Sequence, residues 1–166
     1  MRRKEREINN PAEIRQILEQ AKVLHIAFHN GTYPYLLPVN FGFKMEKQHL
    51  TLFFHGAKEG AKHGIIEADP HVAFETDCCH QLIPPAGTEA CTASFAYKSI
   101  IGQGLVSRAK ESEKAILLRE LLCHYGIEAN AFSPSSLANT VVYKIEAISY
   151  TAKGREAALS SSLPQL

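Results

Sequence analysis

Two segments hold the residue types and spacings from which chemistry can be argued. In His55-Gly56-Ala57-Lys58-Glu59-Gly60-Ala61-Lys62, the small residues let the backbone come close to a ligand, and Lys58 and Lys62 lie one helical turn apart where a helix is expected to begin. Unpaired amides and partial positive charge at a helix start, together with two ammonium groups, favour an anion, and phosphate is the natural guess. A solvated lysine-rich turn fits the same residues. The segment lacks both the Gly-Lys-Ser/Thr ending of a Walker loop and the dinucleotide fingerprint, which sets nucleoside triphosphate hydrolysis aside. The second segment is Tyr35-Leu36-Leu37-Pro38-Val39-Asn40-Phe41-Gly42-Phe43, where Pro38 removes a ladder donor and Gly42 lacks a side chain. A planar heterocycle lying there would meet strand amides and the Asn40 side chain at its edge, with Phe41 or Phe43 over a face. A bulged edge strand explains the same residues without a ligand.

Other chemistries are poorly provided for. No carboxylate pair and no nucleophile triad is recognisable. His55 is a candidate for a catalytic role on its titration range alone, with structural hydrogen bonding as the alternative. Cys78, Cys79, Cys91 and Cys123 include one adjacent pair and no Cys-x2-Cys spacing, so zinc is not expected and buried, reduced thiols are. The eight histidines would allow haem, although no haem attachment motif is present.

Length and pattern indicate the scaffold on which these residues are held. A chain of 166 residues, 45% hydrophobic and 21% charged, is of the right size and balance for one compact domain. A formal charge of +1 argues against nucleic acid as the main partner. Met1-Arg2-Arg3-Lys4 runs into acidic residues rather than an apolar stretch, and no segment is long enough to span a bilayer, so a cytoplasmic protein is expected.

Asn10, Pro11 and Glu13 mark a helix start, and Ile14, Ile17, Leu18 and Ala21 form its buried stripe. Val23 to Phe28, Tyr35 to Phe43 and Leu50 to Phe54 read as three strands of a meander, with Asn30-Gly31 as the first turn. A loop into a short helix ends at Pro70. His71 to Thr76 reads as a strand, Cys78 to Glu89 as a loop, and Ala90 to Ser107 as strand pairs bent around Gly102 and Gly104. A second helix carries Leu118, Leu121, Leu122 and Tyr125, with Gly126 as its cap. Thr140 to Thr151 is the closing strand, and residues 154–166 read as a mobile tail after a domain spanning 1–153. About six strands with two main helices that do not alternate with them predict a mainly β, largely antiparallel barrel, a sandwich being the alternative.

Pro38 to Phe43, then Phe54 to Lys62, then Ala90-Cys91-Thr92 with Tyr97-Lys98-Ser99-Ile100-Ile101-Gly102-Gln103-Gly104 resemble the pyridoxamine 5′-phosphate oxidase-like proteins, specifically their nitroimidazole-resistance branch. Arg2-Arg3 through Arg6-Glu7-Ile8 is similar to that branch as well, and the likeness runs over roughly residues 1 to 153. It implies an antiparallel split β-barrel of the FMN-binding type, a homodimer, and FMN in a cleft between two subunits. By position, Pro38, Val39, Asn40, Phe41 and Gly42 would lie along the flavin ring. His55, Lys58 and Lys62 would hold its phosphate with the amides of Gly56 and Ala57, while Tyr97, Ser99 and Ile100 would line the cleft. The vitamin-oxidising members carry substrate arginines that have no counterpart here, so vitamin B6 oxidation is not expected. The implied activity is electron transfer from a reduced nicotinamide or another donor through FMN to a small acceptor such as a nitroaromatic compound or a quinone. A non-catalytic FMN-binding protein, or a haem-binding member of the same fold, would use similar features.

Overall fold

The computed structural model describes residues 3–128 and 131–156 of the chain. Its first helix, α1 (Pro11–Gln20), follows a two-residue strand, β1 (Glu7–Ile8), and starts where the residues dictate. Asn10 accepts a hydrogen bond from the Ala12 amide and Pro11 stands at the first helical position, while Ile14, Ile17 and Leu18 are buried. Glu13 does not turn back to close a capping box; its carboxylate accepts from Lys98 Nζ at 2.8 Å, tying the helix to a strand. Asn10→Ala is expected to cost about 1 kcal/mol, the usual worth of such a cap, measurable as a lower urea midpoint with an unchanged slope.

The strands β2 (Leu24–Phe28), β3 (Tyr35–Val39), β4 (Phe41–Glu46), β5 (His49–Ala57), β6 (His71–Ile83), β7 (Ser94–Arg108) and β8 (Thr140–Arg155) pair antiparallel in the order β3-β2-β6-β7-β8-β5-β4, and β1 adds to β8. A short helix, α2 (Lys62–Ala68), connects β5 to β6. The expected meander is therefore corrected. Tyr35 to Phe43 is two strands broken at Asn40: β3 pairs with β2, β4 pairs with β5, and β5 turns to β8 instead of to β3. The two edges of the sheet are thus consecutive in the chain. A sheet whose outermost strands are joined by one residue must curl until they meet, and with no ladder between them the result is a split barrel. Its interior is the main core, with Ile26, Phe28, Phe41, Leu52, Phe54, Phe74, Ile100 and Ile145 among its buried residues and α1 packed against it.

Three further expectations change. The segment read as a loop from Cys78 continues as β6 to Ile83, with a bulge between Cys78 and Gln81. Ala90–Thr92 is a single 3-10 turn, and from Ser94 the chain runs as one fifteen-residue strand whose register on β8 shifts at Gln103 and Gly104, so the bend falls at the predicted glycines. The last strand runs on to Arg155, which takes Gly154 and Arg155 out of the expected tail; the remainder of that tail, from residue 157, lies outside the described residues.

Helix α3 (Glu111–His124) is closed at its start by the Glu113 carboxylate, which accepts from the Lys110 amide at 3.0 Å, and is followed by Gly126 at φ +73°. Leu117, Leu118 and Leu121 pack on the outside of the barrel over Phe53 and Val142, forming a second core that also includes Ala109. A further short helix, α4 (Pro134–Asn139), has no counterpart in the sequence pattern; Ser133 caps it. Among the described residues no helix is long and apolar enough to cross a membrane.

Candidate functional site

The loop after β5 is shorter than its composition suggested. The strand continues through Ala57, and α2 begins at Lys62, so Lys58 lies in the loop and not on the helix. Lys62 folds back over Gly56, and its amine donates to the Ala57 carbonyl at 3.3 Å and the Glu59 carbonyl at 3.4 Å. It therefore braces the loop. Lys58 instead lines a cavity of about 470 Å³ with His63, Ile66, Glu67, Arg108, Val141 and Tyr143.

Hydrogen bonding fixes the polar wall of this cavity. The Ala57 carbonyl can only accept, so His63 Nε2 carries the proton it donates there at 3.0 Å, and in its neutral form the ring presents Nδ1 as an acceptor. Tyr143 Oη, 2.5 Å from Nδ1, is then the donor. Burial pushes the Tyr143 hydroxyl above its ordinary range, which keeps that proton in place. Neither the Lys58 amine nor the Arg108 guanidinium makes a hydrogen bond or ion pair among the described residues. Both help hold the nearby Glu111 carboxyl below its usual range, after the larger effect of its bond to Lys114. Two uncommitted cations beside a polar wall suit an anion with several oxygens.

His55 stands apart from that cavity. It lines an apolar pocket of about 190 Å³ between β5, α3 and α4, with Leu118, Leu121, Leu122, Phe132 and Leu137. This surrounding lowers its pKa by desolvation.

The strand expected to lie along a ring has a structural explanation at most of its positions. Phe41 is wholly buried in the barrel core, so its side chain cannot cover a ligand face, and its amide donates to Tyr125 Oη at 3.0 Å. Gly42 is buried under α3, where a side chain would overlap the Phe53 ring. Val39 packs against the core, and Asn40 Nδ2 donates to the Lys22 carbonyl at 3.4 Å. Pro38 lies on β3, at the edge of the sheet where a missing donor is harmless. Tyr125 Oη in turn donates to the Lys22 carbonyl at 2.8 Å.

His124 joins the same junction. Its Nε2 donates to the Ala21 carbonyl at 2.9 Å, and its ring packs 4.9 Å from Phe41 and 5.8 Å from Phe43. Desolvation lowers its pKa, outweighing the hydrogen bond to Ala21. The unfolded chain then binds more protons than the folded one as pH falls through the ordinary histidine range near about 6.5, so stability decreases on acidification there. Urea midpoints between about pH 7.5 and 5.5 are expected to fall, and His124→Gln, which keeps a donor for Ala21, to flatten the fall.

Tyr97, Ser99 and Ile100 lie at the other end of the sheet. Ile100 is a core residue, whereas Ser99 and the half-buried Tyr97 project to the opposite face. Along β8, Ala57 is paired at Thr140 and Tyr97 at Arg155. The fifteen positions between them correspond to roughly 48 Å of strand path. One chain thus brings together Lys58, His63, Arg108 and Tyr143, and does not bring Tyr97 or Ser99 to them. His63, Arg108 and Tyr143 were not singled out by sequence pattern. Adjacency of His63 to Lys62 was a weak signal for the first; the others need the β7–β8 register, which places Arg108 opposite Tyr143.

An antiparallel split barrel with a cationic cavity where β5 gives way to α2 defines the class of protein. The pattern of the pyridoxamine 5′-phosphate oxidase family matches residues 10–154, and the chain belongs to that family. No curated protein is matched. Among solved structures, a candidate 5-nitroimidazole antibiotic resistance protein from Bacteroides thetaiotaomicron is 24% identical, with 89% of this chain and 86% of that one covered and a TM-score of 0.74. The flavocytochrome Anf3 from Azotobacter vinelandii is 15% identical over 95% of this chain and 72% of its own, with a TM-score of 0.74. An FAD- and heme-binding protein from Mycobacterium smegmatis is 15% identical over 95% and 77%, with a TM-score of 0.73. At these identities the likeness is one of fold.

Proposed function

We propose that this protein binds FMN between two copies of the chain and serves as a reductase for a small acceptor, a nitroaromatic compound being the favoured type. The observation that carries the reading is the pair of uncommitted cations, Lys58 and Arg108, on a cavity whose His63 and Tyr143 protons are already assigned. The residues fit a phosphate ester there. Lys58 and Arg108 would take its oxygens, and Lys62 would hold the loop that presents Lys58. FMN, when bound, supplies the redox chemistry, accepting electrons from a reduced nicotinamide and passing them on. The chain orients the cofactor and restricts water, which agrees with the lack of a recognisable acid–base pair.

Dimerisation is supported by distance. A mononucleotide cannot reach from Lys58 to Tyr97 within one chain, so if both touch one FMN, they must come from different copies. The outward sheet face offers apolar surface for such a partner, with Leu36, Ile101, Leu105 and Ile148 all exposed. Cytoplasmic location remains part of the proposal.

The test is a visible absorption spectrum of the purified protein, with mass identification of whatever denaturation releases. Flavin bands and released FMN are the expected result, followed by bleaching with a reduced nicotinamide and recovery of the bands with a nitroaromatic acceptor. Bleaching without recovery would leave a flavin-binding protein that is no nitroreductase. A Soret band would favour haem, the cofactor named with flavin for the Mycobacterium smegmatis structure. A colourless chain that also failed to bind added FMN would overturn the proposal.

A further inference from the structure

Adjacent residues of a regular strand point to opposite faces, and neighbouring cysteines in such a strand hold their sulfurs apart. Cys78 and Cys79 do not. Their Sγ atoms lie 3.3 Å from one another. Two features of the backbone produce this: β6 bulges away from β7 between Cys78 and Gln81, and Cys79 adopts φ +61°, a left-handed conformation that costs a non-glycine residue energy. The bulge leaves Cys79 and His80 without partners on β7, while Cys78 keeps its place opposite Lys98. The two thiols differ in surroundings. Cys79 is exposed and donates to Gln20 Oε1 at 2.9 Å, at the end of α1, while Cys78 is buried. The expectation of buried thiols thus holds for Cys78 and fails for Cys79, Cys91 and Cys123, all exposed.

We infer that Cys78 and Cys79 form a reversible vicinal dithiol site that reacts with low-molecular-weight disulfides to give a disulfide between neighbouring residues. The exposed Cys79 thiolate attacks one sulfur of the small disulfide; a Cys79–S–S–R bond forms and one R–S⁻ leaves, taking up a proton. Cys78 Sγ then loses its proton to water and attacks Cys79 Sγ, expelling the second R–S⁻, which is protonated in turn. Two protein thiols are oxidised, and one small disulfide is reduced to two thiols.

The order of attack follows from exposure: Cys79 is open to solvent, whereas burial, with the hydrogen bond and charge of Cys79 as smaller contributions, pushes the Cys78 thiol up to about 12. Once Cys79 is in the mixed disulfide, its own charge no longer opposes ionisation of Cys78, and the attacked sulfur is already at contact distance. Neighbouring Cα atoms lie about 3.8 Å apart, below the usual span of a disulfide, so the bond formed is strained and easily reduced. That is the character of a labile site and not of a structural crosslink.

The test uses the full chain carrying Cys91→Ser and Cys123→Ser, so that only the pair remains. After incubation of the folded protein with oxidised glutathione, the denatured chain is expected to have lost both thiols. Its mass should be lower by two hydrogens with no glutathione attached, and dithiothreitol should restore it. Adding Cys78→Ser should stop the reaction at one stable glutathione on Cys79. If the serine variants do not fold, digestion of the oxidised wild-type chain without reductant should yield the Cys78–Cys79 peptide two hydrogens light. A persistent glutathione adduct on Cys79 with Cys78 intact, or, in the wild-type chain, two thiols at Cys78 and Cys79 surviving oxidant that modifies Cys91, would overturn the inference.

Discussion

Replacing Lys58 and Arg108 together with glutamate is expected to weaken FMN binding about a hundredfold or more with only a small loss of stability. Hydrogen bonds to a charged group contribute about 1.5–3 kcal/mol each, and each 1.4 kcal/mol is a factor of ten in affinity. Two lost contacts therefore already exceed two decades. Reversing their sign adds repulsion from the new carboxylates beside Glu67 and Glu111. The loss should be small because neither side chain makes a hydrogen bond or ion pair among the described residues, and the attraction to the exposed Glu111 carboxylate that is lost is screened by solvent. Quenching of flavin fluorescence on titration, with a urea unfolding curve on the same sample, separates the two effects. The affinity of the unaltered chain should also fall with salt, since exposed charges are screened. Equal FMN affinity in the variant and the parent would remove the cavity from consideration as the phosphate site, even if the protein proved to be a flavoprotein.

The parts of the fold legible in the sequence are those governed by local rules. The start of α1 is written in Asn10 and Pro11, and the end of α3 in Gly126, because caps and buried stripes are set within a few residues. Strand partners were not legible to the same degree. Nothing within Tyr35 to Phe43 distinguishes one strand from two, since alternation is compatible with both; the break at Asn40 arises because the two halves join opposite edges of the sheet. Cys78 to Ile83 looked like a loop because of the prolines just beyond it, yet β7 supplies a partner as far as Ile83. The site divides in the same way. Lys58 was visible as a lysine among small residues. Arg108 was not, because only the long-range pairing of β7 with β8 brings it near. Conversely, Lys62 and Gly42 had the residue types of ligand contacts, and the structure gives each a structural occupation.

Gly42→Ala decides which kind of explanation that position requires. The reading of a close-approaching ligand predicts a stable variant with impaired FMN binding; the packing seen here predicts the reverse. A Cβ at Gly42 would overlap the Phe53 ring and stand 3.1 Å from Leu121 Cα. The ring has no solvent to move into, being wholly buried in the core under α3, and the second obstacle is helix backbone. Overpacking of this kind costs about 1–3 kcal/mol, and with two neighbours fixed the upper half of that range, about 2–3 kcal/mol, is expected. The gain from restricting the unfolded chain, about 0.4–1 kcal/mol for glycine to alanine, offsets only part of it. Urea unfolding would show the lower midpoint. Phe53→Leu on the Gly42→Ala background should recover some of the loss, because a smaller side chain opens the space that the new methyl needs, and a double-mutant cycle would read this as coupling between the two positions. Additive effects, or a Gly42→Ala variant as stable as the parent, would mean that α3 can shift outward and that the glycine is retained for some reason other than packing.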